Sequence, residues 1–525
     1  MSDPLSAIAA YVERPFGTFA ALFALQAQAR PDHPAIICGD RTISYRELDA
    51  LADRIAASLQ RDGVGPGGAV AICATASIDY AAVFIATLRT GAAIAPLAPS
   101  ATAEQLRAML GDCDASHLFS DTVVTEHLAP VAGEIAAQRI ALDAGAAGTP
   151  LADWMAAEGA KPVAVEVEPD QPFNIIYSSG TTGTPKGIVQ SYRMRWPHNH
   201  LVNPPGYGPA AVAMISTPLY SNTTLVSFIP ALAGGGTVVL MPKFDARTFL
   251  ELSQRHGATH AMLVPVQYRR ILDVPDFDSF DLSTYVMKFA TSAPFPAELK
   301  TDVLARWPGG LIEYYGMTEG GGSCMLIAHE HPDKLGTVGQ PMPGHDIRVI
   351  DNDGRVLPAG EVGEVVGRSA VMMNGYHNRP EQTAEAEWRS PEGDRFIRTG
   401  DLAVVDEDGF FTLIGRKKDL IISGGINIYP VDLEEALLEH PAVREAAVVG
   451  ARSREWGETP VGFVTLLPGE AADGDTLKAF ANSRLGKMQR LADVRVVDEL
   501  PRSAIGKILK RELQDRLSVE TAQFS

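Results

Sequence analysis

Ser178-Ser179-Gly180-Thr181-Thr182-Gly183-Thr184-Pro185-Lys186-Gly187 packs three glycines, five hydroxyl side chains and one lysine into ten residues. Glycine lets the backbone turn tightly and present successive N–H groups to an anion. The hydroxyls add donors, and Lys186 adds a mobile positive charge. That is chemistry for a polyphosphate, although the order differs from the GxxxxGK[ST] of a Walker A loop. Just upstream, Phe173-Asn174-Ile175-Ile176-Tyr177 is aromatic and β-branched, and predicts a strand that delivers the loop.

Four further stretches carry chemistry. Tyr314-Tyr315-Gly316-Met317-Thr318-Glu319 sets a hydroxyl beside a carboxylate on a glycine turn. This suits Mg²⁺ carrying substrate phosphate, because that hard cation takes one or two carboxylates plus phosphate oxygens. Arg398-Thr399-Gly400-Asp401-Leu402 offers a carboxylate able to accept from both hydroxyls of a ribose, and Arg416 follows in Ile414-Gly415-Arg416. Pro501-Arg502-Ser503-Ala504-Ile505-Gly506-Lys507 puts an ammonium after a glycine that permits close approach. Ser423-Gly424-Gly425-Ile426-Asn427 is a glycine loop with room for a thin chain, and Trp456 lies between Glu455 and Gly457.

Taken in this order, the five motifs resemble the class I adenylate-forming superfamily: acyl- and aryl-CoA synthetases, luciferases and nonribosomal adenylation domains. The resemblance spans nearly the whole chain, and its pattern is closest to stand-alone acid–CoA ligases. It implies a carboxylic acid, ATP and coenzyme A as substrates, with Mg²⁺ as the metal. Acyl-AMP and pyrophosphate form first; a thiol then displaces AMP to give a thioester. The implied nucleotide contacts are Ser178, Ser179, Gly180, Thr181, Thr182, Gly183 and Lys186, then Ser292, Ala293 and Pro294. Glu313, Tyr314, Tyr315, Gly316, Met317 and Thr318 complete them, with Asp401 and Arg416 at ribose and phosphate. Glu319 is the implied Mg²⁺ ligand. Lys507, Thr318, Glu319 and Lys186 are the implied catalytic residues, Lys507 stabilising charge on the reacting carboxylate and phosphorus. Ser423, Gly424 and Gly425 match the pantetheine tunnel, and Trp456 is set against that arm or the CoA nucleotide. Lys418, two residues past Arg416, matches the hinge about which a small domain rotates between the half-reactions.

Leu219-Tyr220-Ser221-Asn222-Thr223-Thr224 aligns with the family's acyl-pocket segment. Amino-acid-activating relatives usually place an aspartate where Ser221 stands, to pair with the substrate ammonium. Serine lacks that charge, so an α-amino acid is disfavoured. Many acid–CoA ligases have histidine there, so Tyr220 is expected to supply bulk instead. Gly316 stands where acetate-specific relatives have tryptophan, which argues for a larger acid. Tyr314 stands where phenylpropanoid ligases often have glycine, which shortens the pocket. Thr223, Ser227, Ser292 and Ala293 complete the expected wall. The acid expected is medium-sized: aromatic, branched or alicyclic, or medium-chain fatty. Two alternatives stay open: an enzyme that loads a separate carrier protein, and a nucleotide-binding scaffold without catalysis.

These residues need a scaffold. Ser44 and Glu47 form an S-x-x-E capping box, and Leu48, Leu51, Ile55 and Leu59 then share one helical face before Gly63. Ala69–Ala74 predicts a buried strand, Tyr80–Leu88 a helix and Ala92–Leu97 another strand. Repeated β-then-α order argues for α/β layers with mostly parallel strands. Between 334 and 415 short strands alternate with turns such as Asp351-Asn352-Asp353-Gly354, a β-rich, barrel-like texture. The expected fold is therefore α/β: a large N-terminal adenylating domain over 1–416, and a small mobile α+β domain over 417–525. At 525 residues the chain is too long for one ordinary core. Its net charge of −19 gives no general attraction to nucleic acid or anionic membrane. Four scattered cysteines form no zinc or disulfide pattern. No leader is expected at the start and no membrane span in the apolar stretches, which Arg89, Pro230 and Gly234–Gly236 interrupt. A cytoplasmic location follows, and a homodimer is left open. The chain ends soon after Lys510, which favours free CoA as the thiol.

Overall fold

The computed structural model describes residues 4–178, 185–202, 206–424, 426–454, 456–486, 489–503 and 506–523. Ser179, Gly180, Thr181, Thr182, Gly183 and Gly425, all expected site residues, lie outside them, as does the side chain of Ser178. The chain divides into two compact units: 1–347 with 367–397, and 348–366 with 398–525.

The first unit is built on two large sheets. One runs in the order Gly375–Tyr376, Lys186–Ser191, Pro172–Ser178, Ala93–Pro96, Ala69–Cys73, Ala115–Ser120, Gln138–Ala141 and Thr149–Pro150. Its core pairs are parallel, and the hairpin at Lys186 is antiparallel. The Ala69–Cys73 strand is buried along its whole length, as a parallel strand covered on both faces should be. The other sheet has nine strands, with Val212–Ile215, Thr237–Leu240, His260–Leu263, Met287–Ala290 and Gly310–Tyr315 parallel at its centre. The Tyr45–Arg61 helix starts with the expected capping box, and Gly63 follows at φ +86°. Leu48, Ile55 and Leu59 from its apolar face are buried beside the Ile78–Arg89 helix. Between 334 and 415 the expected β-rich texture is present as a five-stranded sheet that includes Gly363–Arg368, Arg395–Val405 and Phe411–Arg416 as neighbours, and two short strands of this stretch pair elsewhere. Gln340–Pro341 and Gly375–Tyr376 join the nine- and eight-stranded sheets, because each finds an open antiparallel edge there.

In the second unit, a sheet ordered Ile426–Ile428, Ile421–Ser423, Gly457–Leu466 and Val443–Ser453 takes Asp493–Val496 as a parallel neighbour of Gly457–Leu466. Leu433, Leu437, Leu477 and Val464 centre one small core; Val449, Phe463 and Leu513 centre another. No helix among the described residues is long and apolar enough to cross a membrane.

Candidate active site

Lys186 opens the strand that pairs back onto Pro172–Ser178, with Ser178 opposite Lys186 and Tyr177 opposite Gly187. Gly187 cannot carry a side chain without a clash, since a Cβ would lie 2.8 Å from Ile175 Cγ2. The next strand, Gly375–Tyr376, pairs with the same segment, Tyr376 opposite Ile188. The His377 amide adds a hydrogen bond to the Gly187 carbonyl at 2.7 Å. This pairing puts the Tyr376 ring under Lys186, whose ammonium lies 5.1 Å from the ring centroid.

The Tyr376 hydroxyl in turn donates to Glu319 Oε1 at 2.9 Å. Glu319 sits on the loop that joins the antiparallel strands Gly310–Tyr315 and Cys324–Ile327. Gly320 and Gly321 hold positive φ there, and a Cβ on Gly320 would meet the Val371 carbonyl oxygen at 2.0 Å. The Met373 amide donates to the Glu319 carbonyl at 2.9 Å. Cation, phenol and carboxylate from three distant segments therefore meet at one point. Burial, and then the neighbouring carboxylate, raise the Tyr376 hydroxyl far above its ordinary range, so it remains a donor. Tyr376 was not legible as a site residue: an aromatic after a glycine announces no chemistry until the strand pairing is known.

Among the described residues Glu319 Oε2 has no partner, and the Thr318 hydroxyl is adjacent in sequence. One hard oxygen held in place and one left available suits Mg²⁺ that brings its remaining ligands as phosphate and water. No group of three or more His, Cys, Asp or Glu side chains gathers for a metal among the described residues, so Glu319 fits such a shared site rather than an all-protein cage.

Ser292 holds φ +80°, rare for a residue with a Cβ, and its hydroxyl is hydrogen-bonded to that of Thr223. This contact joins the Ser292-Ala293-Pro294 turn to the Asn222–Ala233 helix, so the expected nucleotide and acid walls meet. Tyr314 stacks on Phe289 with ring centroids 6.1 Å apart, and burial pushes its hydroxyl up to about 12. Phe289 also meets Tyr207, whose hydroxyl is 2.7 Å from that of Ser227. Tyr314 and Ser227 thus belong to one aromatic layer, with Tyr207 and Phe289 as members that the sequence did not reveal. Ser221 is the buried N-cap of the helix. Tyr220 has Ser100 and Cys73 beside it. Gly316 leaves no room for a side chain toward Ser323, whose Oγ would be 2.8 Å from a Cβ. The Glu313 carboxyl is buried and ion-paired with Lys300. Burial raises that carboxyl, and Lys300 opposes the rise.

In the second unit, Asp401 and Arg416 face each other across paired strands, and Arg416 Nε lies 2.8 Å from Asp401 Oδ1. Beside them, Glu364 is held by Arg398 at 2.6 Å and Lys417 at 3.1 Å. Lys418 lies in the Lys417–Asp419 turn, and burial lowers its ammonium below the ordinary lysine value. Ser423 pairs with Gly457, and the Gly424 amide donates to the Trp456 carbonyl at 2.8 Å. A Cβ on Gly424 would meet Trp456 Cε3 at 2.8 Å, so only glycine lets the loop lie flat on the indole. Trp456 is 47% exposed, an apolar plate left in water. Lys507 sits on a turn closed by the Ser503 amide to the Lys507 carbonyl at 2.9 Å, with Gly506 at φ +79°. Arg502 braces that turn through the Gly506 carbonyl and Glu445.

The family model described as AMP-binding enzyme matches residues 23–377, and the AMP-binding enzyme C-terminal domain model matches 432–507. A fatty acid–[acyl-carrier-protein] ligase, ScoC, of Streptomyces coeruleorubidus is 32% identical, covering 95% of this chain and 96% of its own. A feruloyl-CoA synthase of Amycolatopsis sp. is 32% identical over 94% and 97%. The crystal structure of ATP-bound MatB from Rhodopseudomonas palustris is similar at TM-score 0.83 and 30% identity, covering 95% of this chain and 98% of that one. With both family models matching in order and relatives aligned almost end to end, the chain belongs to the AMP-binding enzyme family.

Proposed function

We propose that this chain is an ATP-dependent acid–CoA ligase that activates a medium-sized acid as its adenylate and passes the acyl group to coenzyme A. The observation that carries the reading is the meeting of Lys186, Tyr376 and Glu319, which provides a cation for phosphate and a fixed carboxylate for Mg²⁺. Bound Mg²⁺ would supply charge neutralisation on the phosphates. In the first half-reaction a substrate carboxylate oxygen attacks the α-phosphorus of ATP, an acyl-AMP bond forms, and pyrophosphate leaves. Lys186 and Lys507 stabilise the charge that builds up. Asp401, held by Arg416, takes the ribose hydroxyls. In the second half-reaction the CoA thiol gives up its proton, attacks the acyl carbon and releases AMP. The Ser423–Gly425 loop and the exposed indole of Trp456 are the surface for the pantetheine arm. The small domain is assigned to 417–525 and rotates about Lys418 between the halves.

The aromatic layer of Tyr314, Phe289 and Tyr207 supports an aromatic or branched acid, and the feruloyl-CoA synthase similarity points the same way. Carrier-protein loading is a second reading, supported by the similarity to ScoC. Four free cysteines accord with a reducing cytoplasm, where we place the protein. A panel of carboxylic acids is tested for pyrophosphate release, with CoA as the only thiol. Release with an aryl or branched acid, and its acyl-CoA as product, is expected. Pyrophosphate release without acyl-CoA would turn the reading to carrier loading; no release with any acid would remove catalysis.

A further inference from the structure

Arg195 is 2% exposed, yet among the described residues its guanidinium pairs with no carboxylate. Its partners are all neutral. Nε donates to Asn174 Oδ1 at 3.0 Å, and Nη2 donates to Asn222 Oδ1 at 2.7 Å and to Gln190 Oε1. Its flat face lies over the Phe173 ring, 5.8 Å from the centroid. Burial pulls this guanidinium down to about 9, far below an ordinary arginine. A buried charge without a counter-charge is costly, and an apolar side chain of similar volume fills a core without that cost. What an apolar residue lacks is the planar fork that fixes several acceptors at once.

The acceptors stand on three elements that lead to the site. Asn174 and Gln190 are cross-strand partners in the hairpin that bears Lys186. Asn222 is the first residue of the helix whose Thr223 contacts Ser292. Gln190 closes the chain of contacts: its Nε2 donates to the Thr318 carbonyl at 2.6 Å, while its Oε1 accepts on the Asn174–Arg195 side. In that last contact Gln190 Oε1 is the acceptor, taking Asn174 Nδ2 at 2.9 Å as well as the guanidinium, so the orientation of its amide is settled. Nε2 is thereby aimed at Thr318, the residue before Glu319.

We infer that Arg195, acting through Gln190, is a positioning residue that holds the Thr318–Glu319 loop in register with Lys186 for MgATP. This rests on the proposed function, and on the AMP-binding family assignment in particular. Without the guanidinium, the Gln190 amide can flip and the Thr318 carbonyl loses a fixed donor. Glu319 then keeps only Tyr376 to hold its side chain.

The test uses the whole protein and needs neither an acid nor turnover. The upward shift in melting temperature given by ATP is measured against Mg²⁺ concentration for wild type, Gln190→Met, Arg195→Met and Arg195→Lys. Gln190→Met removes the donor to Thr318 while keeping volume, and should raise the half-maximal Mg²⁺ concentration about tenfold, the effect of one lost hydrogen bond of about 1.4 kcal/mol. Arg195→Met should do the same, and Arg195→Lys should restore it only in part, because an ammonium cannot span the same three acceptors. Arg195→Met also leaves buried oxygens unsatisfied, so Gln190→Met decides the matter if that variant fails to fold. Variants with lowered melting temperatures but a wild-type Mg²⁺ dependence would show a purely structural network and overturn the inference. An absence of any ATP-induced shift in the wild type would instead overturn the nucleotide reading on which it rests.

Discussion

Replacing Tyr376 by phenylalanine removes one atom from the meeting point of Lys186 and Glu319. The hydroxyl lies 2.9 Å from Glu319 Oε1 and donates to a charged acceptor. Such a bond contributes about 1.5–3 kcal/mol, and each 1.4 kcal/mol is tenfold in an equilibrium. If the bond fixes the carboxylate for Mg²⁺, Tyr376→Phe should slow adenylation roughly ten- to hundredfold. The ring stays under Lys186, so phosphate binding should be largely kept. Tyr376→Ala also loses the cation–ring contact, about 0.5–1 kcal/mol, a further two- to fivefold. Because burial and Glu319 keep the hydroxyl protonated, the loss in Tyr376→Phe should be the same from mildly acidic to mildly alkaline pH. ATP–pyrophosphate exchange measures the rate, with melting temperature beside it. A rate within twofold of wild type, in a normally folded variant, would show that Tyr376 does not orient Glu319 for the reaction.

Three other variants probe separate parts. Glu319→Gln keeps the shape but loses the charge that a hard cation needs, so exchange should nearly vanish while the melting temperature holds; wild-type exchange would place the metal elsewhere. Trp456→Ala should raise KM for CoA and leave exchange unchanged, since the half-exposed indole has little core to lose; an unchanged KM would remove it from the CoA surface. Lys418→Pro fixes φ and removes a donor, so acyl-AMP should still form while thioester formation falls; equal loss of both would place the pivot elsewhere.

The Ser44–Glu47 cap, the buried Ala69–Cys73 strand and the alternating α/β order were legible because local chemistry and periodicity determine them. So was the Asp401–Arg416 pair, whose members face each other across adjacent strands. Tyr376 was not, because its partner Glu319 lies 57 positions upstream and only the pairing of Gly375–Tyr376 with the Lys186 strand unites them. Gln190 and Arg195 belong to no motif in the sequence. Their burial depends on Asn222, brought in by the other sheet system, which no local pattern announces. Glu313 stands in a motif rich in site residues, and strand alternation turns its side chain inward to Lys300, a partner that no local pattern announces.

In the proposed reaction one chain runs two half-reactions, and Lys507 serves the first. Its turn is closed by Ser503 and Gly506 and braced by Arg502, so Lys507→Ala should leave the turn standing. Adenylation should then fall roughly a hundredfold or more, the effect of one preorganised electrostatic contact of about 3 kcal/mol. Given preformed acyl-AMP and CoA, the same variant should make thioester at close to the wild-type rate. Equal loss in both half-reactions would mean that Lys507 stays at the reacting centre throughout, and would contradict the two-state account.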